Sequence, residues 1–300
     1  MEQRHQVSWT DRKQSSQLLA ESFERLGDPK ALRVRHCAEW LTFSVCPAGH
    51  EKRIHANLCK ARLCPLCSWN RSRKLFSQLK AVLHLAVDRR PIRFLFLTLT
   101  ARNVPSFELS SQIDHLFQAW HRFSRRKWFR TIALGWFRVL ECTYNLQDGT
   151  YHPHFHVLLV VIPSYFSKRY VRQDLWVYYW QDALRTSYKP IVDVRAVKKT
   201  KNRSLDGVAA EVGKYAVKST DYLIPGRPEE TDRIVQALDR AMKGRRLATY
   251  GGWLRELHRE IRESDNKRSF DACKCSICQS DMLREVYQWS SSLKGYHKER

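Results

Sequence analysis

GWFRVLECTYNLQDGTYHPHFHVLLVVI (residues 135–162) decides how the chain is read. Two apolar and aromatic runs flank Gln147-Asp148-Gly149-Thr150, and Asp-Gly between such runs is a strong signal for a two-residue hairpin turn. Side chains alternate across a strand, so His152, His154 and His156 project from one face. With Asp148 and Gly149 as the loop, Gln147 pairs with Thr150. Glu141 then falls directly opposite His156 and diagonal to His154, within ligand reach. Two imidazoles and a carboxylate on one sheet face can hold a cation and leave positions open for other oxygens. A lone strand histidine is ordinarily structural, but two alternating ones with a cross-strand Glu and the anchoring run VLLVVI form a constellation. His152 precedes Pro153 and pairs further out, near Asn145, so it reads as a neighbour rather than a ligand. The assignment depends on register, because a one-residue slip carries Glu141 to the other face.

Working outward, IRFLFLTLTARN (92–103) reads as a buried strand. SRKLFSQLKAVLHLAV (72–87) has helical spacing and is stopped by Arg90-Pro91, and residues 107–129 form an amphipathic helix. Downstream come a helix over 167–185, a strand over 191–198 and a helix over about 206–219. The order β, α, β, β, α, β, α predicts an α+β fold with one largely antiparallel sheet backed by helices. Four segments follow: a polar helical appendage (1–35), a cysteine-rich module (36–74), the core (75–225), and a helical C-terminal region with a cysteine cluster (226–300).

The formal charge of +23 is unevenly spread. Residues 52–80 carry eight Lys or Arg without an acid, and HRFSRRKWFR (121–130) carries five more. Basic stretches interleaved with Trp, Phe and His suit a polyanion whose bases can stack, which makes nucleic acid a better partner than a merely solvated basic face. No apolar run approaches the roughly 20 residues that cross a bilayer, and MEQRHQVSWTDRK lacks an apolar signal core. A cytoplasmic protein is expected.

Six of the nine cysteines fall in two clusters, Cys59, Cys64 and Cys67, then Cys273, Cys275 and Cys278. Without an export signal, such spacing reads as metal ligation rather than disulfides. A hairpin over 38–58 turning at Pro47-Ala48-Gly49 brings Cys37 opposite Cys59, beside Cys64 and Cys67, and four thiolates can close a structural zinc site. A competing set replaces Cys37 with Cys46, His50 or His55. The second cluster is either another zinc site, its fourth ligand unidentified, or a reduced tail.

In AAEVGKYAVKSTDYL (209–223), Glu211 and Tyr215 are four apart and Lys218 is three further, all along one helical face, with Lys214 flanking the Tyr. By itself this fits a surface ion pair beside a half-buried Tyr. Near a metal-bound phosphate, a phenol is a competent nucleophile and Lys can neutralise phosphate charge. A phenol titrates near 10 and needs a base or a stabilised phenolate, and no residue is identified as that base.

FLFLTLTARN (94–103), YHPHFHVLLVV (151–161) and EVGKYAVKSTDYL (211–223) together resemble the three ordered motifs of the HUH endonuclease superfamily, specifically the replication initiators of rolling-circle plasmids. NLCKARLCPLCSWNRSRK (57–74) resembles the cysteine-rich segment of those initiators. The resemblance implies an HUH-type antiparallel sheet with an inserted zinc module. It implies that His154 and His156 are the paired metal histidines, Glu141 the acidic third ligand of a catalytic Mg²⁺ or Mn²⁺, and Tyr215 the nucleophile. Glu211 matches the carboxylate used in termination by single-tyrosine initiators, while Thr98 and Thr100 support the site. Lys214 and Lys218 would contact DNA phosphate. The implied activity is nicking of a plasmid double-strand origin through a 5′-phosphotyrosine, leaving a 3′-OH primer, with a host helicase and replication polymerase as partners. The competing classes are an HUH relaxase or transposase, and a non-enzymatic zinc-dependent nucleic-acid-binding protein. A second tyrosine, Tyr222, lies seven residues beyond Tyr215.

Overall fold

The computed structural model describes residues 2–197, 205–213, 222–267, 274–275 and 277–299. In chain order its elements are α1 (Glu2–Arg25), α2 (Lys30–Arg35), β1 (Trp40–Val45), β2 (Glu51–Ala56), α3 (Pro65–Arg89), β3 (Arg93–Thr100), α4 (Leu109–Arg125), α5 (Lys127–Ile132), β4 (Ala133–Asn145), β5 (Thr150–Val161), α6 (Gln173–Leu184), β6 (Val192–Ala196), α7 (Leu205–Gly213), α8 (Pro228–Met242), β7 (Ala248–Gly252), α9 (Trp253–Lys267), β8 (Leu283–Ser290) and β9 (Gly295–Lys298). They divide into two compact units, one drawn from 71–221 and 237–265, the other from 1–70, 222–236 and 266–300. No helix among the described residues is long and apolar enough to cross a membrane.

The first unit is built on an antiparallel sheet of order β6-β3-β5-β4-β7. β5 is its middle strand, and Val157 to Val161 are fully buried, because helices cover both faces. On one face Leu158 and Val160 pack with Phe137 and Val139 against Leu79, Val82 and Leu83 of α3, Val208 and Ala209 of α7, and Leu254 and Leu257 of α9. On the other, Phe155 meets Phe117 and Trp120 of α4 at ring separations of 5.5 and 6.2 Å. Trp180 of α6 packs on Phe123 and donates its indole N–H to the Thr100 carbonyl at 2.8 Å. A strand covered on both sides needs a continuous apolar run, which VLLVV supplies.

The β4–β5 hairpin differs from the expected register by two residues. Asn145 pairs with Thr150, so the loop is four residues, Leu146 to Gly149. Gly149 sits at φ +70° and its N–H closes on the Asn145 carbonyl at 2.9 Å. Asp148 Oδ1 accepts from the Thr150 N–H at 3.0 Å, and Asn145 Oδ1 from the Gln147 N–H at 3.0 Å. These side-chain bonds stabilise a longer turn than Asp-Gly alone implies. Glu141 is therefore directly opposite His154 rather than His156, and His152 faces Thr143 rather than lying near Asn145. An even shift keeps every side chain on its face, so Glu141, His154 and His156 remain together.

Residues 226–300 read from sequence as helical, and α8 and α9 lie there, but so do three strands. β7 extends the first unit's sheet by pairing with β4. β8 pairs with β1, and β9 with β8, giving the second unit a sheet of order β2-β1-β8-β9. At one end of it, the Trp289 N–H donates to the Glu39 carbonyl at 2.8 Å and the Tyr296 hydroxyl to the Ala38 carbonyl at 2.5 Å. Trp9 of α1 meets Trp69 edge-on at 4.8 Å.

The β4–β7 junction depends on Gly135. A Cβ there would lie 2.7 Å from the Leu254 backbone nitrogen and 3.0 Å from the Gly251 carbonyl oxygen, neither of which can rotate away. Gly135→Ala should therefore cost about 1–3 kcal/mol, as core overpacking does, read as a lowered thermal melting temperature. An unchanged melting temperature would contradict this packing.

Candidate metal centres and active site

Strand alternation brings Glu141, His154 and His156 to one point at the middle of the first unit's sheet. Glu141 Oε2 lies 3.2 Å from His154 Nε2 and 2.8 Å from His156 Nε2, and the two Nε2 atoms are 3.0 Å apart. Glu141 and His154 are 6% and 7% exposed. His154 Nδ1–H donates to the His152 carbonyl at 2.9 Å. That bond fixes its tautomer and leaves Nε2 as a lone pair. His156 Nδ1 lies 3.3 Å from the hydroxyl of Thr98, its direct neighbour on β3. With His154 Nδ1 protonated, its Nε2 lone pair converges with His156 Nε2 and the Glu141 carboxylate oxygen, and a positive charge between them makes that favourable.

A proton can fill that role, and so can a divalent cation. Around a six-coordinate ion with bonds of about 2.1 Å, adjacent ligands lie about 3.0 Å apart. The observed 2.8–3.2 Å fits three ligands on one face of such an ion. Two imidazoles and a carboxylate in that arrangement leave the remaining positions to other oxygens. Burial opposes ionisation of Glu141, but its bonds with His154 and His156 prevail and hold its carboxyl at about 2. It is thus ionised throughout the neutral range, as a ligand must be.

The surrounding residues hold this geometry. His152 is not part of the group: its Nδ1 meets Asn103 Oδ1 at 2.6 Å, and burial, then the neighbouring His154, lower its pKa. Thr98 contacts His156, whereas Thr100 donates to the Ile191 carbonyl at 2.9 Å and acts through backbone placement. Asn103 is a contributor that the sequence did not single out.

The second unit brings Cys37, Cys59, Cys64 and Cys67 together. Their sulfurs are 3.5–3.6 Å apart for the pairs 37–64, 37–67 and 59–67. That is far beyond a disulfide and near the roughly 3.8 Å between sulfurs at the corners of a tetrahedron with 2.3 Å bonds. The Cys59 N–H donates to Cys37 Sγ at 3.4 Å and the Lys60 N–H to Cys67 Sγ at 3.2 Å. Cys64 and Cys67 also sit at the start of α3, where the helix dipole favours thiolate. The competing members are elsewhere: His55 is exposed on β2, and Cys46 and His50 belong to a separate group.

α1 gains a role that composition did not reveal. Lys13 is 1% exposed and donates to the carbonyls of Arg35 at 2.7 Å and Cys37 at 2.8 Å. Burial lowers its pKa, and Cys37, then Glu39, then Cys64 and Cys59 oppose that. Ser16 Oγ lies 3.5 Å from Cys64 Sγ.

Glu211 falls in α7, while its side chain, and Lys214, Tyr215 and Lys218 altogether, lie outside the described residues. Tyr222 is fully buried in the second unit and its hydroxyl donates to the Leu63 carbonyl.

Comparison with known proteins bears on what such an arrangement does. A family model described as "Replication protein" matches residues 50–297. The chain is 38% identical to a "Protein rep" of Bacillus amyloliquefaciens, covering 96% of this chain and 93% of the relative. It is 40% identical to a "Protein rep" of Lactiplantibacillus plantarum, covering 86% and 83%. A "Protein rep" of Streptococcus pneumoniae serotype 2 is 36% identical, covering 96% and 91%. No solved structure matches the chain.

By calorimetry, Mn²⁺ should bind the triad, and His154→Ala, His156→Ala and Glu141→Ala should each weaken it by about 10-fold or more, since each removes one of three ligands. Binding should also weaken on acidification, because protons compete for the same lone pairs. Undiminished Mn²⁺ binding by His156→Ala would remove the assignment. In the metal-free protein the depressed Glu141 pKa adds stability that is complete above its ordinary 4.5 and lost as pH falls through about 2. Glu141→Gln should therefore flatten the acid limb of the stability profile over that interval.

Proposed function

The chain belongs to the Rep family of replication proteins, and from that premise we propose that it initiates rolling-circle plasmid replication as a site-specific single-strand DNA endonuclease and strand transferase of the HUH type. The observation that carries this reading is the convergence of His154, His156 and Glu141 on the central strands. α7, whose continuation in sequence carries Tyr215, packs through Val208 and Ala209 on that same sheet face, which supports the pairing of nucleophile and triad.

In this proposal the Tyr215 oxygen attacks the scissile phosphorus, forming a 5′-phosphotyrosine and releasing the 3′-oxygen as a hydroxyl that primes a host polymerase behind a host helicase. Mg²⁺ or Mn²⁺ held by His154, His156 and Glu141 supplies Lewis-acid polarisation of a phosphate oxygen when bound. Lys214 and Lys218 neutralise phosphate charge. The His152 carbonyl and Thr98 orient the two imidazoles. One phosphoester replaces another, so the step is reversible and the same chemistry closes the displaced strand.

Glu211, one helical turn from Tyr215 in sequence, acts as a general base on water so that the final cut is hydrolytic. The burial of Tyr222 and its bond to the Leu63 carbonyl support this assignment over a second tyrosine. Zn²⁺ at Cys37, Cys59, Cys64 and Cys67 is structural, and the protein acts in the cytoplasm. Binding to the double-strand origin draws on the basic stretches and is strongly salt-dependent.

Cleavage of origin oligonucleotides tests the proposal. EDTA should abolish nicking and Mn²⁺ or Mg²⁺ restore it, while Tyr215→Phe should lose both nicking and the covalent adduct. Glu211→Gln should nick and form the adduct at near wild-type levels but terminate about 100-fold more slowly or worse, in keeping with loss of a general base. Normal termination by Glu211→Gln with failure of Tyr222→Phe would establish a two-tyrosine scheme instead. DNA binding without any adduct would establish a non-enzymatic protein.

A further inference from the structure

We infer that Cys46, His50, Cys275 and Cys278 form a second zinc centre, which fastens the C-terminal hairpin to the hairpin near the N-terminus. Their ligand atoms all lie within 4.8 Å of one another. Cys46 Sγ is 3.5 Å from Cys278 Sγ and 3.4 Å from His50 Nδ1, and Cys275 Sγ is 3.6 Å from that same nitrogen. With Zn–S near 2.3 Å and Zn–N near 2.05 Å, a tetrahedron places sulfur and nitrogen about 3.6 Å apart. Three thiols and an imidazole at those separations are a closed structural donor set rather than an open catalytic one.

Each half of the site is a tight turn that aims two donors the same way. In the first, the Cys46 N–H donates to the His50 carbonyl at 3.1 Å and the Gly49 N–H to the Cys46 carbonyl at 2.8 Å, with Gly49 at φ +75°. In the second, the Gln279 N–H donates to the Cys275 carbonyl at 2.9 Å and the Ile277 N–H to Cys275 Sγ at 3.5 Å. An amide aimed at sulfur favours the thiolate, the form that binds metal. Cys46 and Cys275 are 3% and 2% exposed.

The sheet explains why these turns meet. Val45 pairs with Leu283, so Cys46 leaves β1 at the end where the 275–278 turn leads into β8. Cys37 precedes the opposite end, where Trp40 pairs with Gln288. One centre would thus close each end of the β1–β8 pair, and the donors missing from the C-terminal cysteine cluster, Cys46 and His50, lie in the N-terminal part of the chain. Cys273 falls outside the described residues and the set is complete without it.

The test counts zinc by elemental analysis and coordination by X-ray absorption, in a His154→Ala/His156→Ala background that removes the histidine triad from the count. Two zinc ions per chain, with seven sulfurs to one nitrogen between them, are expected from the two donor sets. Cys278→Ser should lower the count to one, whereas Cys278→His, which keeps a ligand, should leave it at two. The count rests on the Cys37 centre also holding zinc. Cys59→Ser/Cys64→Ser should therefore retain one ion with three sulfurs and one nitrogen, so failure of either centre reads out separately. A single ion with only sulfur ligands, or two ions retained in Cys278→Ser, would overturn the second centre. If Cys278→Ser is insoluble, the sulfur-to-nitrogen ratio of the parent protein decides.

Discussion

Glu141 Oε2, His154 Nε2 and His156 Nε2 lie within 3.2 Å of one another, a crowding of electronegative atoms that a positive charge between them relieves. The first unit is organised so that they cannot separate. His154 and His156 are on the middle strand, hydrogen-bonded along both edges, and Glu141 is on its neighbour. Two residues beyond His156 the same strand enters the core, where Leu158 and Val160 are clasped by three helices. Moving an imidazole away from the carboxylate would mean shifting a strand whose side chains are packed on both faces, and close-packed interiors resist that. Preorganisation of this kind lets a site hold its geometry before a substrate arrives.

How much of this was legible in sequence follows from which signals are periodic. The two-residue alternation of HPHFH carried the histidine face and the continuous run VLLVV the buried strand, and the alternation survived a register error of two residues because that error is a multiple of its own period. The error came from local chemistry: Asn145 and Asp148 cap the turn with their side chains and lengthen the loop to four residues. Pairing between distant segments has no such signature. In LREVYQWS, Tyr287 and Trp289 are buried and Arg284 and Gln288 exposed, a period-two pattern. The segment is nonetheless short and charged, and its partner β1 lies more than 230 residues earlier. In sequence Cys46 and His50 stand only as alternatives to Cys37, and only the fold makes them partners for Cys275 and Cys278.

The two units solve the stability problem differently. The first has a sheet covered on both faces and a large aromatic core around Trp120, Phe123 and Phe155. The second has a four-stranded sheet of short strands, one of whose exposed residues, Leu283, is large and apolar. Small sheets that bury little on their own are ordinarily held by cross-links or metals. Donor clusters at the two ends of β1–β8 answer that need and explain why cysteines concentrate there, while Cys142 of β4, buried in the first unit's sheet, is a packing residue whose thiol burial pushes up to about 12.

The charge of the chain has to be divided between these tasks. Four thiolates around a Zn²⁺ ion would carry a net charge of about −2, which would be costly to bury without a compensating cation. Lys13 is placed to supply one: it is almost fully buried, its ammonium is anchored by the Arg35 and Cys37 carbonyls, and the cysteines oppose the loss of its proton. Lys13 comes from a helix whose sequence is polar and carries no motif, so its function is visible only from what it is packed against. The same reasoning applies to the acid-free stretch 52–80, which threads through Cys59, Cys64 and Cys67. Its lack of Asp and Glu serves a thiolate cluster as well as a polyanion, since a carboxylate there would add to the negative charge that Lys13 offsets. A share of the +23 is therefore structural, and the surface available to phosphate is smaller than the formal charge implies.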